Sequence, residues 1–456
     1  MNEAQGSNPA SSNQPPVNQV QEFLAGLTVS FVAISLGAAF GVASGRGALA
    51  GILSAGVIAL ITSAFGGTRV QCSGPTAPMT AVTILLVTAV GGGLLAEYPG
   101  ADPDRFINMV IVLTGIILIL ASVLRLGRFI QWVPKTVISG FMNGIAVLIW
   151  VGETRSLFGI GDRIAIGGDM GLNVAIALVT LGLIFLLPSL LKKIDPRLTS
   201  FLPATLAAII VVTVSVSLLG LDVQRVALGA TLSSLGDLGA MFTQHMPTEW
   251  APALILLGLP FALQLAMLAY LDTLLTSLVV DKKVDEMYGT GETTAQNQEL
   301  AAQGVANGAV ALFGGIPGAQ ATIRSVLILN EGARTRVAGV LVGIFVLIEM
   351  LIFQDLIAQI PQAVFTGVLI KVGYDVFDWE PVRVYVRSFR EPGAPPASAT
   401  EPRVPHLDML FIGGTTLVTV LVNLNVAVVS FCILFFVVSR FTKVPDLEPA
   451  GDPAST

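Results

Sequence analysis

Three stretches of the chain hold side chains that could do chemistry. In YLDTLLTS, Asp272 lies deep inside an apolar run, and Thr276 follows one helical turn later on the same face. A carboxylate and a hydroxyl on one face offer hard oxygen ligands to a small cation such as Na+, and the same carboxylate can instead carry a proton. A lone ionised group at membrane depth is costly, so Asp272 must be paired, solvated or functional; neutralising Arg324 is the plainer structural role. Arg324 belongs to the second stretch, Phe313–Gly332, FGGIPGAQATIRSVLILNEG. Gly314, Gly315, Pro317 and Gly318 forbid one continuous helix there, and a fresh apolar run begins at Ala321. That run ends at Asn330, about ten residues or roughly 15 Å, half the thickness of a hydrocarbon core. A half-helix aims free N–H groups and a positive dipole end into the protein, beside Thr322 and Arg324, which is the anatomy of an anion site. In the third stretch, QCSGPTAPMTAVTILLV, Gly74, Pro75 and Pro78 delay helix until about Met79. Two such starts facing each other would cradle an anion, with Thr76 and Thr322 adding hydroxyl donors.

The elements that must position these groups are membrane helices. Hydrophobic residues make up 54% of the 456 and charged residues 12%, with a mean hydropathy of +0.80. That is about half the charge of a soluble domain. Apolar runs at 23–43, 48–65, 79–95, 107–124, 133–151, 172–191, 201–220, 253–280, 301–313, 321–330, 336–354, 360–377, 407–423 and 425–441 predict an all-α polytopic protein with about fourteen segments. Two of them are too short to cross alone. Most Lys and Arg fall on one set of loops when the N-terminus is placed in the cytoplasm, which puts both termini there in an inner (plasma) membrane protein. Residues 1–20 and 443–456 read as short polar tails, the first disordered, around a transporter domain at 21–442. The insert 388–406 has the composition of a flexible linker, and Asp281, beside Lys282 and Lys283, reads as a solvated loop residue.

An internal repeat is legible. The fifth span opens VPKTVISG and the twelfth IPQAVFTG, and FGG precedes both the broken third span and the broken tenth. Seven spans separate the partners each time, and because seven is odd the halves lie in opposite orientation, a 7+7 inverted repeat with half-helices at segments 3 and 10. No cofactor is implied. Cys72 and Cys432 form no metal cluster with His245 or His406, GTGETT lacks a phosphate-loop lysine, and no basic stretch interleaved with aromatics suggests nucleic acid. An intramembrane enzyme is disfavoured, since HExxH is absent and Tyr374-Asp375 lacks a second membrane aspartate motif.

FGVASGRGALAGILSAGVIALITSAFGGT, GPTAPMTAV, VISGFMNGIAVLI, YLDTLLTSLVVD and GGIPGAQATIRS together resemble the sulfate permease (SulP) family of anion transporters. LDTLLTS and GPTAPMT are similar to its cyanobacterial sodium–bicarbonate members. The resemblance implies a moving core, 21–128 with 253–355, sliding elevator-like against a gate, 129–220 with 356–442, commonly in a homodimer. It implies anion contacts at Thr76, Ala321 and Thr322 and sodium at Asp272 and Thr276. Two departures stand out. Arg324 replaces the small residue of the bicarbonate transporter, as in dicarboxylate-transporting and animal members, and the family's cytoplasmic STAS domain is missing from these 456 residues. The expected function is a cation-coupled anion importer, with bicarbonate and Na+ leading. Alternatives are sulfate or a C4-dicarboxylate with protons, or an uncoupled exchanger or channel. Nucleobase permeases are disfavoured, because the tenth span carries Arg324 rather than a carboxylate.

Overall fold

The computed structural model describes residues 18–160, 166–194, 204–226, 228, 235–248, 250–390, 404–422, 424–442, 444 and 446–447. Most of both polar tails and of the 388–406 insert lies outside them. Among the described residues the chain forms sixteen α-helices. These are α1 Gln19–Ala43, α2 Ala48–Phe65, α3 Ala77–Ala89, α4 Pro103–Val123, α5 Lys135–Phe158, α6 Met170–Ile194, α7 Ala204–Leu218 and α8 Leu235–His245. They continue as α9 Pro252–Tyr288, α10 Gln296–Ala311, α11 Thr322–Asn330, α12 Arg336–Ile357, α13 Gln362–Val376, α14 Trp379–Arg390, α15 His406–Leu421 and α16 Leu424–Ser439. Seven of them are long and apolar enough to cross a bilayer alone, and α3 reaches that length only with the π-helical turn Val90–Leu94 that continues it. All fourteen expected segments are present, α3 and α11 being the half-helices.

Two helices carry no long apolar run and escape a hydropathy reading: α8, which links α7 to α9, and α14, a short amphipathic helix that takes in Ser388, Phe389 and Arg390 from the expected linker. Asp281 is a second correction. Its helix runs on to Tyr288, and its carboxylate accepts the Thr294 N–H at 2.8 Å and hydroxyl at 2.7 Å, because the chain folds back over the end of α9.

Packing follows the repeat. The tightest pairs are α2 with α12 and α4 with α10, which are symmetry equivalents under a shift of seven segments. Glycines permit both contacts. A Cβ at Gly343 would lie 2.7 Å from the Gly56 carbonyl oxygen, and one at Gly115 would lie 2.5 Å from that of Gly304. The pairs α5 with α15 and α13 with α6 repeat the relation, with Gly140 and Gly367 at the crossings. Both α5 and α13 start on a proline N-cap in extended conformation, Pro134 and Pro361, as the shared VPKTVISG/IPQAVFTG pattern requires. Helices α1–α4 and α9–α12 thus form one packed group, and α5–α7, α13, α15 and α16 a second. Between them, on the face opposite the N-terminus, opens a cavity of about 760 Å³ lined by Thr88 of α3 and Phe365 and Thr366 of α13.

Candidate anion and cation site

The two half-helices are held start to start. Ser73–Gly74 and Ala319–Gln320 pair as a two-stranded antiparallel ladder, β1 and β2, in the register Ser73↔Gln320 and Gly74↔Ala319. This ladder absorbs the backbone polar groups freed where each helix breaks, which buried non-helical chain must do. The strands cross so closely that a Cβ at Gly318 would lie 2.2 Å from the Gly74 carbonyl oxygen. Glycine is required there by space, not merely tolerated. Asn307 of α10 clamps the crossing, accepting the Gly318 N–H at 2.8 Å and donating to its carbonyl at 3.0 Å. Neither half-helix is capped by a side chain at its N-cap, Thr76 or Ala321. Both starts therefore keep free N–H groups, as an anion cradle needs.

Beneath the ladder lies a second support that sequence reading overlooks. Glu299 of α10 is fully buried and accepts from the Thr68 N–H at 3.0 Å, Gln71 Nε2 at 2.9 Å and Gln303 Nε2 at 3.0 Å. Gln303 also donates to Ser73 Oγ at 2.7 Å. Its signal is composition: QNQELAAQGVANG is too polar for a lipid-facing helix, so that face must be satisfied inside the protein.

All the residues expected at the site except Arg324, namely Thr76, Asp272, Thr276, Ala321 and Thr322, fall together at this crossing. Helix α9 passes the half-helix starts, and Thr276 Oγ1 lies 2.6 Å from Thr322 Oγ1. Asp272 stands one turn away, beside Thr76. Asp272 Oδ2 and Thr76 Oγ1 are both enclosed and near one another, and neither makes a hydrogen bond of ordinary geometry. Thr322 and Ile323 are exposed at membrane depth, the latter by 50%, so open space reaches the start of α11.

Arg324 lies elsewhere. Its guanidinium is 1% exposed and tucked behind β1, where Nη2 donates to the Pro75 carbonyl at 2.9 Å while Nε and Nη1 have no partner. It forms no ion pair with Asp272. No salt bridge joins the two groups, although Asp272 lies within Coulombic range of the guanidinium, whose hydrogen bond goes to Pro75 at the end of β1. A Cβ at Gly74 would meet Nη1 at 2.8 Å, so Gly74 makes room for the guanidinium.

At the cavity face, Arg46 in the α1–α2 turn donates to Asp104 at 3.1 Å, to Asn108 at 2.6 Å and to the Gly314 carbonyl at 3.0 Å. The His245 ring at the end of α8 lies over Gly314, where a Cβ would meet ring atoms at 2.8 Å. Burial, with Arg46 nearby, holds the His245 imidazole below its ordinary pKa of 6.5.

Comparison with known proteins extends this geometry. Bicarbonate transporter BicA of Picosynechococcus sp. is 32% identical over 89% of this chain and 68% of its own length. BicA of Synechocystis sp. is 33% identical over 78% of this chain, which spans only 61% of that relative. YvdB of Bacillus subtilis, which carries the name putative sulfate transporter, is 29% identical over 94% of the chain and 76% of its own. Among solved structures, the transmembrane domain of a cyanobacterial BicA superposes with a TM-score of 0.72 at 30% identity, covering 90% of this chain and 97% of that domain. Murine solute carrier 26 member A9 in an inward-facing state shares the fold, with a TM-score of 0.68 at 17% identity over 94% and 69% of the two chains. These are anion transporters rather than enzymes, and the 7+7 inverted repeat is their fold. Since the sulfate permease family signature matches residues 20–389, this multi-pass membrane protein belongs to the sulfate permease family.

Proposed function

We propose that the chain is a cation-coupled anion importer, with Na+ as the cation and bicarbonate as the leading anion. The observation that carries this reading is the 2.6 Å contact between Thr276 and Thr322, which joins the carboxylate helix to the anion cradle. A hydroxyl has one proton and two lone pairs. When Thr276 Oγ1 coordinates a cation beside Asp272, its proton turns to Thr322 Oγ1. The Thr322 proton is then free for an anion at the half-helix starts. Cation and anion thereby strengthen each other through one hydrogen bond, a coupling reciprocal by necessity. Asp272 Oδ2 and Thr76 Oγ1 are enclosed oxygens of the hard type that suits Na+. Thr76, Ala321 and Thr322 contact the anion, and Asp272 and Thr276 hold the cation.

Arg324 acts as a fixed field from behind the cradle rather than as a ligand on its open side. Its positive charge makes no direct ion pair, Asp272 acting on it only through space, which favours a second reading in which a divalent anion, sulfate or a C4-dicarboxylate, is carried with protons. The group of α1–α4 and α9–α12 is the moving core and the other group the gate, with the N-terminus on the cytoplasmic side of the plasma membrane and a homodimer as the assembly.

Uptake of labelled bicarbonate, sulfate and succinate into proteoliposomes, with and without imposed Na+ or proton gradients, tests the reading. Sodium-driven bicarbonate uptake is expected; proton-driven sulfate or succinate uptake would replace it with the second reading. Asp272→Asn should abolish concentrative uptake. Unchanged cation dependence in that variant would remove Asp272 from the coupling site.

A further inference from the structure

Asp272 is not the only carboxylate at membrane depth. Glu349 lies in the run VLIEMLIF of α12 and is only 6% exposed. Helices α1 and α2 pack along α12, and their one charged side chain is Glu22, at the N-terminal end of α1. On α12 itself the other charges are Arg336 at its first residue and Asp355 near its last turn. No ion pair among the described residues includes Glu349.

The hydrogen bonds at this seam can be counted. Ser30 Oγ of α1 lies 2.6 Å from Glu349 Oε1 and 2.7 Å from the Leu27 carbonyl oxygen, while Glu349 Oε2 has no partner. A serine has a single proton. With Glu349 ionised, two acceptors compete for that proton and a charged oxygen stays buried without a donor. With Glu349 protonated, the acid donates to Ser30, Ser30 donates to Leu27, and both short contacts are bonded. The contrast lies within the same group of helices, where buried Glu299 accepts from three N–H donors at 2.9–3.0 Å. Glu299 sits in a pocket made for a carboxylate, and Glu349 in one made for a carboxylic acid.

We propose that Glu349 is a proton-binding site separate from the Asp272 cluster, holding its proton while α1 and α12 are packed and releasing it to water when that seam is wetted. Release leaves a carboxylate facing Ser30 in an apolar contact and loosens α1 from α12. Because α1 also packs on α3 and α11, the half-helices feel the change. Alkaline conditions should therefore slow transport through Glu349, whichever anion is carried.

Infrared difference spectroscopy of the full chain in lipid, titrated from neutral to alkaline pH in an Asp272→Asn background, reads the proton without any transport assay. A protonated-carboxyl C=O band is expected that disappears in Glu349→Gln and moves to higher frequency in Ser30→Ala, where the acid loses its acceptor. A spectrum identical in all three would overturn the assignment. In proteoliposomes with Asp272 intact, Glu349→Gln should retain uptake at the alkaline pH that slows the parent protein several-fold. An alkaline decline equal in both would overturn the link between this proton and transport.

Discussion

Thr276 and Thr322 each have one proton to give, so their mutual contact decides which way both hydroxyls point. Thr276→Val keeps the shape and removes the relay. Losing one hydrogen bond to a charged group costs about 1.5 kcal/mol, roughly tenfold in affinity. The half-saturating Na+ concentration should rise by about that factor, and the anion's should rise with it. Cation-concentration series at several anion levels would show this, and a change confined to the cation would mean that the two hydroxyls do not communicate. Arg324 illustrates the limit of reading a residue by type. Its charge was legible in the sequence, but the one hydrogen bond it makes is to Pro75, set by the turn of a nine-residue helix.

At the scale of elements, the crossing of β1 and β2 does what neither half-helix can do alone. It fixes the separation of the two starts to the thickness of one peptide ladder, with no side chain between Gly318 and Gly74. Gly318→Ala should push the strands apart by more than an ångström or leave the crossing unmade, since the added atom meets backbone on the other arm. Loss of anion binding, with the helical signal of the membrane domain retained, is the expected result; full uptake in this variant would show that the crossing tolerates separation.

Helix α8 is held differently, by a His245 ring whose neutral form is favoured. Undocked, the imidazole protonates near 6.5; docked, it does so only lower. The docked state binds fewer protons, so its stability is complete above the ordinary value and falls as pH drops through 6.5 toward the lowered value. Protection factors across 235–248, in which the intrinsic base-catalysed exchange rate is divided out, should fall with acidification, and His245→Gln should remove that dependence.

For the whole molecule, two helix groups face each other across the 760 Å³ cavity, with Thr88 on one wall and Thr366 on the other. If the groups slide during transport, a reducible thiol-to-thiol cross-linker long enough to span the cavity between Thr88→Cys and Thr366→Cys, introduced in a Cys432→Ser background, should stop uptake, and reductant should restore it. Transport that continues with the bridge formed would mean that these walls do not move past one another. Capping also links distant parts of one group. Glu22 at the start of α1 accepts the Arg334 and Thr335 N–H groups at 2.6 and 3.1 Å and so caps α12 across 312 residues of sequence.

Sequence alone determined the fourteen apolar segments, their inverted repeat and the two breaks, and it singled out Asp272, Thr276, Thr76, Ala321, Thr322 and Arg324 as candidates. Hydrophobic length, proline and glycine act locally, so a one-dimensional reading captures them. Tertiary structure alone decided which groups meet. It put Thr276 on Thr322, gave Arg324 a backbone carbonyl rather than Asp272 as its direct partner, gave Asp281 a threonine partner, and distinguished the donors around Glu299 from the single serine beside Glu349. It also added α8 and α14, whose helices rest on contacts rather than on an apolar run. Whether a buried carboxylate is a charge or an acid depends on how many donors reach it, and those donors come from helices hundreds of residues apart.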